Sequence, residues 1–470
     1  MNAVRVTVLA WTMVLLLCAK GFGVEVRDFG AQGDGQADDS GALQRAVDSG
    51  AHLIHLGAGT YRLTRSVEID LSRTGPVSMV GDGVATIRME ATGPALRLNG
   101  SHGGTADPKS FKPGTMDRER SPMVDGVEII GAHPEADGVE AVGTMQLVLT
   151  RLTVREARHA IRLRVRNRNL LVSDCHLYHN RGVGVFFDAV DLHQANIVGC
   201  HISYNAGGGV VMRGGGVRNV QIGTCDLEAN MGEGEEPAAN VWIDCEGGST
   251  AEVAITGCTL QHHGKAEGSA NVVFLGRGSE KGAAFDAEQV RWGHLTIANN
   301  ILSDTRTNVR LRHARGVTIV GNTFGVGHDF HLLVEDSTNV VVGANSFDRN
   351  DRYYYGEAAL AKDAIVFRDS KDCTLSGLHV NGVRNGEAGM VFENCEGMHL
   401  SNSTVLDCDG AGVLLKNVRE SFVTGCVIRE RRSGVVPHPS LRVMGGGGNQ
   451  FGENMLSNGA ELDGTRVDRP

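Results

Sequence analysis

The stretch SDCHLYHN at residues 173–180 is followed by VGCHISYN at residues 198–205 and by GTCDLEAN at residues 223–230. The three stretches begin 25 residues apart. Each carries a cysteine at its third position and an asparagine at its eighth. A fixed spacing of this kind indicates a structural repeat rather than a single cluster of reactive side chains.

Each repeat unit reads as three short apolar strands separated by turns. The units are 22 to 37 residues long, which is too short for β-α-β units, because their crossover needs a helix. The pattern predicts an all-β protein, a single-stranded right-handed parallel β-helix. In such a coil, equivalent residues of successive turns, or rungs, stack about 4.8 Å apart. The predicted hand follows from the general rule for parallel crossovers.

The first strand of each unit supports this prediction. Its second and fourth residues are apolar, as in Ile161 and Leu163, and are expected to face the core. Its fifth residue points outward, and its charge alternates in sign along most of the row, which favours stacking in register because opposite charges attract. The fifth residues are Arg164, Asp188, Arg213, Asp244, Leu275, Arg312, Glu335, Arg368, Glu393 and Lys416.

The repeated cysteine follows the second strand and is predicted to lie inside the coil. Thiols on adjacent rungs, about 4.8 Å apart, are too widely spaced for an easy disulfide. The chain has no CxxC pair of the kind that binds zinc, and His176 and His201 alone make a poor ligand set, so we predict no metal site. The same position is occupied by Cys175, Cys200, Cys225, Cys258, Asn300, Asn322, Asn345 and Cys426.

The N-terminus has the pattern of an export signal. Arg5 precedes an apolar run at residues 6–17, which is too short to span a bilayer, and small residues follow at 21–23. We predict a signal peptide at residues 1–23 and a secreted, periplasmic or cell-surface protein. A lipid anchor at Cys18 is the less favoured prediction, because the leucines before it are not small.

The charge of the chain argues against two kinds of partner. The net charge is −10 and no basic tract is present, which excludes a nucleic-acid partner. No later segment is long enough for a membrane-spanning helix, so no membrane span is predicted.

The segment VRDFGAQGDGQADDSGALQRAVDSG at residues 26–50 resembles the opening of pectate lyase superfamily proteins of the rhamnogalacturonase/epimerase-like group. Their opening reads DFGAxGDGxxDDTxAxQxA, and Ser40 replaces the threonine here. The resemblance implies a β-helix whose open end is plugged by a short helix, capped by Asp38, Asp39 or Ser40. It divides the domain at residues 24–470 into a cap at 24–65, weaker rungs, and regular rungs at 138–462.

The resemblance also implies work on an extracellular polysaccharide, without naming the reaction. The GHG and RIK motifs of polygalacturonases are missing, apart from a fragment at residues 327–329, and so is the DPHD of mannuronan epimerases. A lyase or glycoside hydrolase acting on an acidic, uronate-containing polysaccharide is the favoured prediction. A non-catalytic carbohydrate-binding or adhesin-like scaffold is the alternative. No cofactor is indicated, and Ca²⁺ is left open.

Long loops indicate where a site is expected. Insertions at residues 101–122 and 131–137 flank one end of the outward face, and further long loops lie at 231–239 and 348–363. Uronates need cations and a base, whereas glycosidases need two carboxylates. Stacking in the charge ladder is the alternative role for the charged residues. The predicted catalytic residues are Glu140, Arg162, Asp188, Asp244 and His133, and the predicted substrate-binding residues are Arg164, Arg213, Trp242 and Tyr354.

The third residue of the first strand forms an outward apolar stripe. Such a stripe is unusual on a monomer. It is covered by long loops, buried between subunits of a homotrimer, or used as a sugar platform. The stripe consists of Phe186, Val211, Trp242, Val273, Leu333, Val366, Val391 and Leu414.

Overall fold

The structure, a computed structural model, describes residues 23–104, 107–232, 238–277 and 291–467. The predicted signal peptide lies almost entirely outside the described residues, as does Cys18, so export stays a prediction. Within the described residues, 42 strands form one sheet that winds into a parallel β-helix. Parallel pairing runs from Val24 to Leu462, so rungs also form the chain before residue 138.

Each rung contributes a strand to three rows, and the fold class predicted from the repeat is confirmed. Row 1 is the face that carries the charge ladder, and four of its strands continue around a bend into row 2. The strands of row 1 are β5 (Val67–Asp70), β7 (Gly93–Asn99), β9 (Ala136–Met145), β12 (Ile161–Ser173), β14 (Val183–Val198), β16 (Gly208–Gly223), β18 (Ala239–Thr256), β20 (Ala270–Leu275), β23 (Thr305–Arg312), β26 (Gly327–Glu335), β29 (Ala364–Arg368), β32 (Ala388–Glu393), β35 (Ala411–Arg419), β38 (Leu441–Gly447) and β41 (Ala460–Leu462).

Row 2 follows row 1 along the chain, and two of its strands continue into row 3. The further strands of row 2 are β1 (Val24–Glu25), β3 (Leu53–His55), β6 (Ser78–Met89), β8 (Met123–Gly131), β10 (Val148–Thr150), β21 (Gly293–Ala298), β24 (Arg315–Val320), β27 (Thr338–Val342), β30 (Thr374–Ser376), β33 (His399–Ser401), β36 (Phe422–Thr424) and β39 (Gln450–Gly452).

Row 3 closes each rung and leads back to row 1. A last strand, β42 (Thr465–Val467), pairs antiparallel with β41. The further strands of row 3 are β2 (Asp34–Asp38), β4 (Gly59–Leu63), β11 (Thr153–Arg155), β13 (His176–Tyr178), β15 (His201–Ser203), β17 (Asp226–Glu228), β19 (Thr259–Gln261), β22 (Ile301–Leu302), β25 (Thr323–Phe324), β28 (Ser346–Asp348), β31 (His379–Asn381), β34 (Thr404–Leu406), β37 (Val427–Arg429) and β40 (Met455–Leu456).

Helices are short and few among the described residues. Three are α-helical, α1 (Ser40–Asp48), α2 (Leu71–Thr74) and α3 (Pro113–Arg118). Three more are 3₁₀ helices, at Val26–Phe29, Pro108–Ser110 and Tyr353–Leu360.

The capping helix α1 covers the N-terminal end of the core, as predicted. Its Leu43, Ala46 and Val47 are fully buried in the core of the coil. Of the three predicted capping residues, Asp38 binds the start of the helix through its side chain. Its carboxylate accepts hydrogen bonds from the backbone N–H and the hydroxyl of Ser40. Asp39 instead fixes the preceding turn by accepting from the backbone N–H groups of Gln32 and Gly33.

The charge ladder on row 1 has the predicted register. Arg164 pairs with Asp188, Asp188 with Arg213, and Arg213 with Asp244. The alternation resumes further along the coil, where Arg368 Nε donates to Glu393 Oε2 at 2.9 Å. Stacking therefore places opposite charges side by side, as the sequence indicated.

Polar residues also stack inside the coil, at the turn between rows 3 and 1. Asn180 donates to Asn205 at 2.8 Å, and Asn205 donates to Asn230 at 2.7 Å. The chain of amide hydrogen bonds continues through Asn240 to Asn271. Because each amide satisfies the next, these buried side chains lose little by leaving water.

The predicted row of cysteines lies at the turn between rows 2 and 3 and is buried. Cys258 donates its backbone N–H to Asn300 Oδ1, and Asn300 donates to Asn322. All cysteines in the described part of the chain are free thiols, in line with the predicted spacing.

The outward apolar stripe is covered within the single chain. Val273, Leu333 and Leu414 are 3%, 7% and 1% exposed, while Phe186 and Trp242 are half-buried. The stripe therefore offers little apolar surface to a second copy, and a homotrimer stays a prediction that would need another contact surface.

We expect Asn205→Ala to destabilise the coil by about 3 kcal/mol, because it removes the buried amide hydrogen bonds that Asn205 makes with Asn180 and Asn230. Urea unfolding followed by circular dichroism measures this cost. Asn196→Ala is the matched control, since Asn196 is exposed on β14 and its loss should cost less than about 0.5 kcal/mol. Equal effects of the two substitutions would contradict a role for the ladder.

We expect Glu393→Lys to destabilise the coil by about 1 kcal/mol, because it places a third cation between Arg368 and Lys416. The same charge change at Glu420, which is exposed at a turn outside the ladder, is the control. The difference in unfolding free energy between the two variants should shrink in high salt. A difference that is independent of salt would exclude an electrostatic origin.

Candidate functional site

The corner between rows 3 and 1 carries a cleft of about 600 Å³, which is the size of a typical ligand site. Its walls come from the loop after β19 and from the long loop at residues 348–363. The cleft is lined by Tyr204, Ala229, His262, His263, Gly264, Lys265, Asp304, Arg306, His328, Asp329, Leu360 and Lys362.

Two lining residues stand at equivalent positions of neighbouring rungs. His262 and Asp304 each follow a row 3 strand and have a positive φ, of 52° and 54°. This left-handed turn ends the strand and directs both side chains away from the core into the cleft. His328 comes from the next rung, on β26, and completes the group.

Asp304 holds two imidazoles at once. Its Oδ1 is 2.9 Å from His328 Nε2, and its Oδ2 contacts His262 Nδ1 at short range. Burial alone would raise the pKa of Asp304, but the hydrogen bonds from the two histidines outweigh it and lower the pKa to about 2. The same hydrogen bond to Asp304 raises the pKa of His262 above its usual value.

A second carboxylate connects His262 to a phenol. Glu228 Oε1 lies 3.6 Å from His262 Nε2 and accepts a 3.0 Å hydrogen bond from the Tyr204 hydroxyl. The hydrogen bond to Glu228 raises the pKa of Tyr204, so the phenol stays protonated at neutral pH. A base and a hydroxyl donor are thus held on either side of one carboxylate.

Cations line another part of the cleft, beside the histidine group. Asp329 accepts from Lys362 Nζ at 2.9 Å and lies 3.3 Å from Arg306 Nη1. Burial would raise the pKa of Asp329, but these two cations lower it below its usual value. Lys265 is exposed at the rim. With three cations and one carboxylate, this cationic wall is suited to an anionic ligand.

The predicted early site has a different character. Glu140 is 3% exposed and accepts a 2.8 Å hydrogen bond from Arg97 Nε. Arg162 and Arg164 lie 3.8 and 3.7 Å from Glu140, and Arg162 also pairs with Asp188 at 2.5 Å. The structure therefore brings these predicted residues together, as part of a largely buried ionic network.

The remaining predicted residues are spread over other parts of the coil. His133 anchors a loop, since its carbonyl accepts from Arg181. Asp244, two rungs from Asp188 through Arg213, lines a separate cavity of about 380 Å³. Trp242 is half-buried, and the Tyr354 side chain lies outside the described residues. No finding tests a role for these residues in binding or catalysis, so those roles stay predictions.

Sequence reasoning missed most of the cleft, although two signals were visible. The fragment at residues 327–329 supplies His328 and Asp329, although the RIK motif that accompanies it in polygalacturonases is missing. The loop at residues 348–363 was recognised as long, and it supplies Leu360 and Lys362. The adjacent histidines at 262 and 263 carried no signal of their partner Asp304.

Two features are absent from the described residues. Across the described residues, no group of three or more His, Cys, Asp or Glu side chains is arranged to hold a metal ion. In the same part of the chain, no helix is both long and apolar enough to cross a membrane.

We expect the pKa of the His262 imidazole to lie above that of an ordinary histidine, and Asp304→Asn to lower it by removing the carboxylate that stabilises the imidazolium. Imidazole resonances followed by NMR across a pH series measure both values. Asp329→Asn removes a carboxylate from the same cleft and serves as the control. A His262 pKa that responds equally to both substitutions would contradict a specific pairing with Asp304.

Comparisons with known proteins place the fold. No curated protein matches the sequence of the chain. Among solved structures, the A-module of mannuronan C-5 epimerase AlgE4 from Azotobacter vinelandii is 15% identical with a TM-score of 0.51, over 90% of this chain and 100% of that one. The tailspike protein gp49 of Pseudomonas phage LKA1 is 13% identical with a TM-score of 0.54, over 91% and 84%.

A third structure, the pre-mature gene product 12 of bacteriophage phi29, is 14% identical with a TM-score of 0.55. The match covers 98% of this chain but only 60% of the phage protein. At these identities the likeness shows the fold alone.

Two family models match the sequence in adjoining segments. Residues 23–119 match Rhamnogalacturonase A/epimerase, pectate lyase-like, and residues 120–260 match the Right handed beta helix region. The first segment includes the N-terminal motif and the helix that plugs the coil, and the second includes the 25-residue repeat. These two matches confirm the resemblance that the N-terminal motif and the 25-residue repeat indicated, and they agree with the β-helix fold.

Proposed function

We propose that the protein binds an acidic, uronate-containing polysaccharide in the cleft at the row 3 to row 1 corner and cleaves it by β-elimination. The observation that carries this proposal is the group formed by His262, Asp304 and His328, which lines the same open cleft as Arg306, Lys362 and Lys265. Polysaccharides are long and hydrophilic, and an open cleft of this kind accommodates a chain that extends beyond it.

His262 is the proposed base. Asp304 fixes its Nδ1, and Nε2 is the nitrogen proposed to accept the C5 proton of a uronate. That proton is acidic because it is α to a carboxylate group. The raised pKa of His262 makes it a stronger base once it is neutral.

The cationic wall is proposed to neutralise the uronate carboxylate. Arg306 and Lys362 share Asp329, and Lys265 adds a charge at the rim. Neutralisation lets the charge left by the departing C5 proton spread onto the carboxylate. Because protein cations supply this effect, the proposal needs no cofactor.

Tyr204 is the proposed acid. As the C5 proton passes to His262, the bond from C4 to the glycosidic oxygen breaks and a C4–C5 double bond forms. The leaving oxygen takes the proton of the Tyr204 hydroxyl, which Glu228 orients. Proton return from His262 to Tyr204 through Glu228 and water restores both groups, so atoms and charges balance over one turnover.

Hydrolysis is the less well supported chemistry in this cleft. A glycosidase needs one carboxyl group that stays protonated to donate to the leaving oxygen. The pKa values of Asp304 and Asp329 are both lowered, which removes them from that role at neutral pH. Burial raises the pKa of Asp226, but this residue lines a neighbouring groove rather than the cleft.

The polysaccharide class draws limited support from the structural neighbours. One is named as a mannuronan C-5 epimerase and another as a phage tailspike. We further propose that the leader exports the protein to the compartment in which such polymers are found.

The test is a panel of polygalacturonate, polymannuronate and neutral glucans, read by ultraviolet absorbance of an unsaturated uronate and by release of reducing ends. We expect the wild type to produce both signals on an acidic polymer, with EDTA having no effect. Reducing ends without the absorbance would indicate a hydrolase. Binding without either signal would support the scaffold alternative.

We expect His262→Ala to lower kcat by about 100-fold or more, the usual contribution of a general base. The rate should fall as pH drops through the raised pKa of His262, because the protonated imidazole cannot accept a proton. His294→Ala is the control, since His294 is exposed on β21, outside the cleft. A His262→Ala variant with wild-type kcat would overturn the proposed chemistry.

A further inference from the structure

The turn between rows 3 and 1 carries a ladder of its own, and Ala229 interrupts it. Equivalent residues of successive rungs stack at this turn with nearly the same φ of 52° to 56°. Ala229 is the small member of the series, between two large side chains. The series is Glu156, His179, Tyr204, Ala229, His262 and Asp304.

Among the described residues, one ring stacks on Tyr204. It is the ring of His179, which lies against one face with ring centroids 5.1 Å apart and planes inclined by 15°. The other face points along the coil towards the rung of Ala229, whose side chain is a single methyl group. Tyr204 is 48% exposed, as expected for a ring with one open face.

The interruption leaves a slot between Tyr204 and His262. The two residues are two rungs apart, which places their backbones about 9.6 Å from each other. Contact distances of about 3.5–4 Å on each side leave room for one ring between them. The cleft reaches all three residues, Tyr204, Ala229 and His262.

Glu228 holds the two sides of the slot in place. It accepts the hydrogen bond from Tyr204 at 3.0 Å and lies 3.6 Å from His262 Nε2. Both rings are therefore oriented towards the same carboxylate before any ligand arrives. A site that is already formed loses less conformational entropy on binding.

We infer that this slot holds the sugar ring whose bond is cleaved, stacked on the open face of Tyr204 and presented edge-on to His262. The electron-rich face of a phenol attracts the C–H groups of a sugar. The methyl group of Ala229 makes the slot, so this position determines whether a pyranose ring is admitted. The inference rests on the proposed function and deepens it by assigning the position of the reacting sugar.

The decisive variant is Ala229→Tyr, which continues the stack and fills the slot. The backbone accepts it, because Tyr204 and His179 adopt φ values of 55° and 53° at the equivalent positions. Ala229→Ser keeps the slot open and is the matched control. Thermal unfolding by circular dichroism checks that both variants keep the fold.

Binding of oligogalacturonate and oligomannuronate, followed by calorimetry, gives the first readout. We expect Ala229→Tyr to weaken binding by at least about tenfold, which is 1.4 kcal/mol, and Ala229→Ser by less than about twofold. Tyr204→Phe should retain binding, while Tyr204→Leu should weaken it. Wild-type affinity in Ala229→Tyr, or no binding of either oligosaccharide by the wild type, would overturn the inference.

Turnover separates this inference from the proposed chemistry. If Ala229→Tyr loses binding while His262→Ala keeps full turnover, the slot stands and the assignment of the base fails. If His262→Ala is inactive while Ala229→Tyr binds and turns over normally, the proposed function stands and the slot fails.

Discussion

The parallel hydrogen bonds between successive turns are the constraint on which the rest of this molecule depends. They place each residue directly beside its equivalent on the next turn. Each side chain must therefore be compatible with the side chain at the same position one turn away. Amides benefit from this arrangement, as the buried series from Asn180 to Asn271 shows. Like charges do not, and the outward row alternates from Arg164 to Asp188 to Arg213 instead.

The same constraint explains how a reactive cluster is assembled from distant parts of the sequence. His262, Asp304 and His328 come from three consecutive rungs, and the stacking distance is close to what two hydrogen bonds on one carboxylate require. The loops contribute only the walls of the cleft. Chemistry in this fold is thus built at right angles to the strands, across rungs.

The sequence predicted the coil well because stacking is visible in a single strand position repeated many times. Cys175, Cys200 and Cys225 fixed the period, and the alternating charges fixed the register. It did not predict the pairing of His262 with Asp304, because the two residues are separated by a long segment whose path the repeat pattern does not reveal. The early insertion packs against the coil, where its Phe111 lies under the Arg168 guanidinium at 4.5 Å, and the site predicted beside it stays a prediction.

At the left-handed turn that carries Tyr204, Ala229 and His262, the side chain can change without a change in the backbone or in the core. The backbone angle is the same whether the side chain is an acid, an imidazole, a phenol or a methyl group. The core and the amide series continue undisturbed behind it. Natural variation at these few positions can therefore change the shape and charge of the cleft, while the coil that supports it is inherited unchanged.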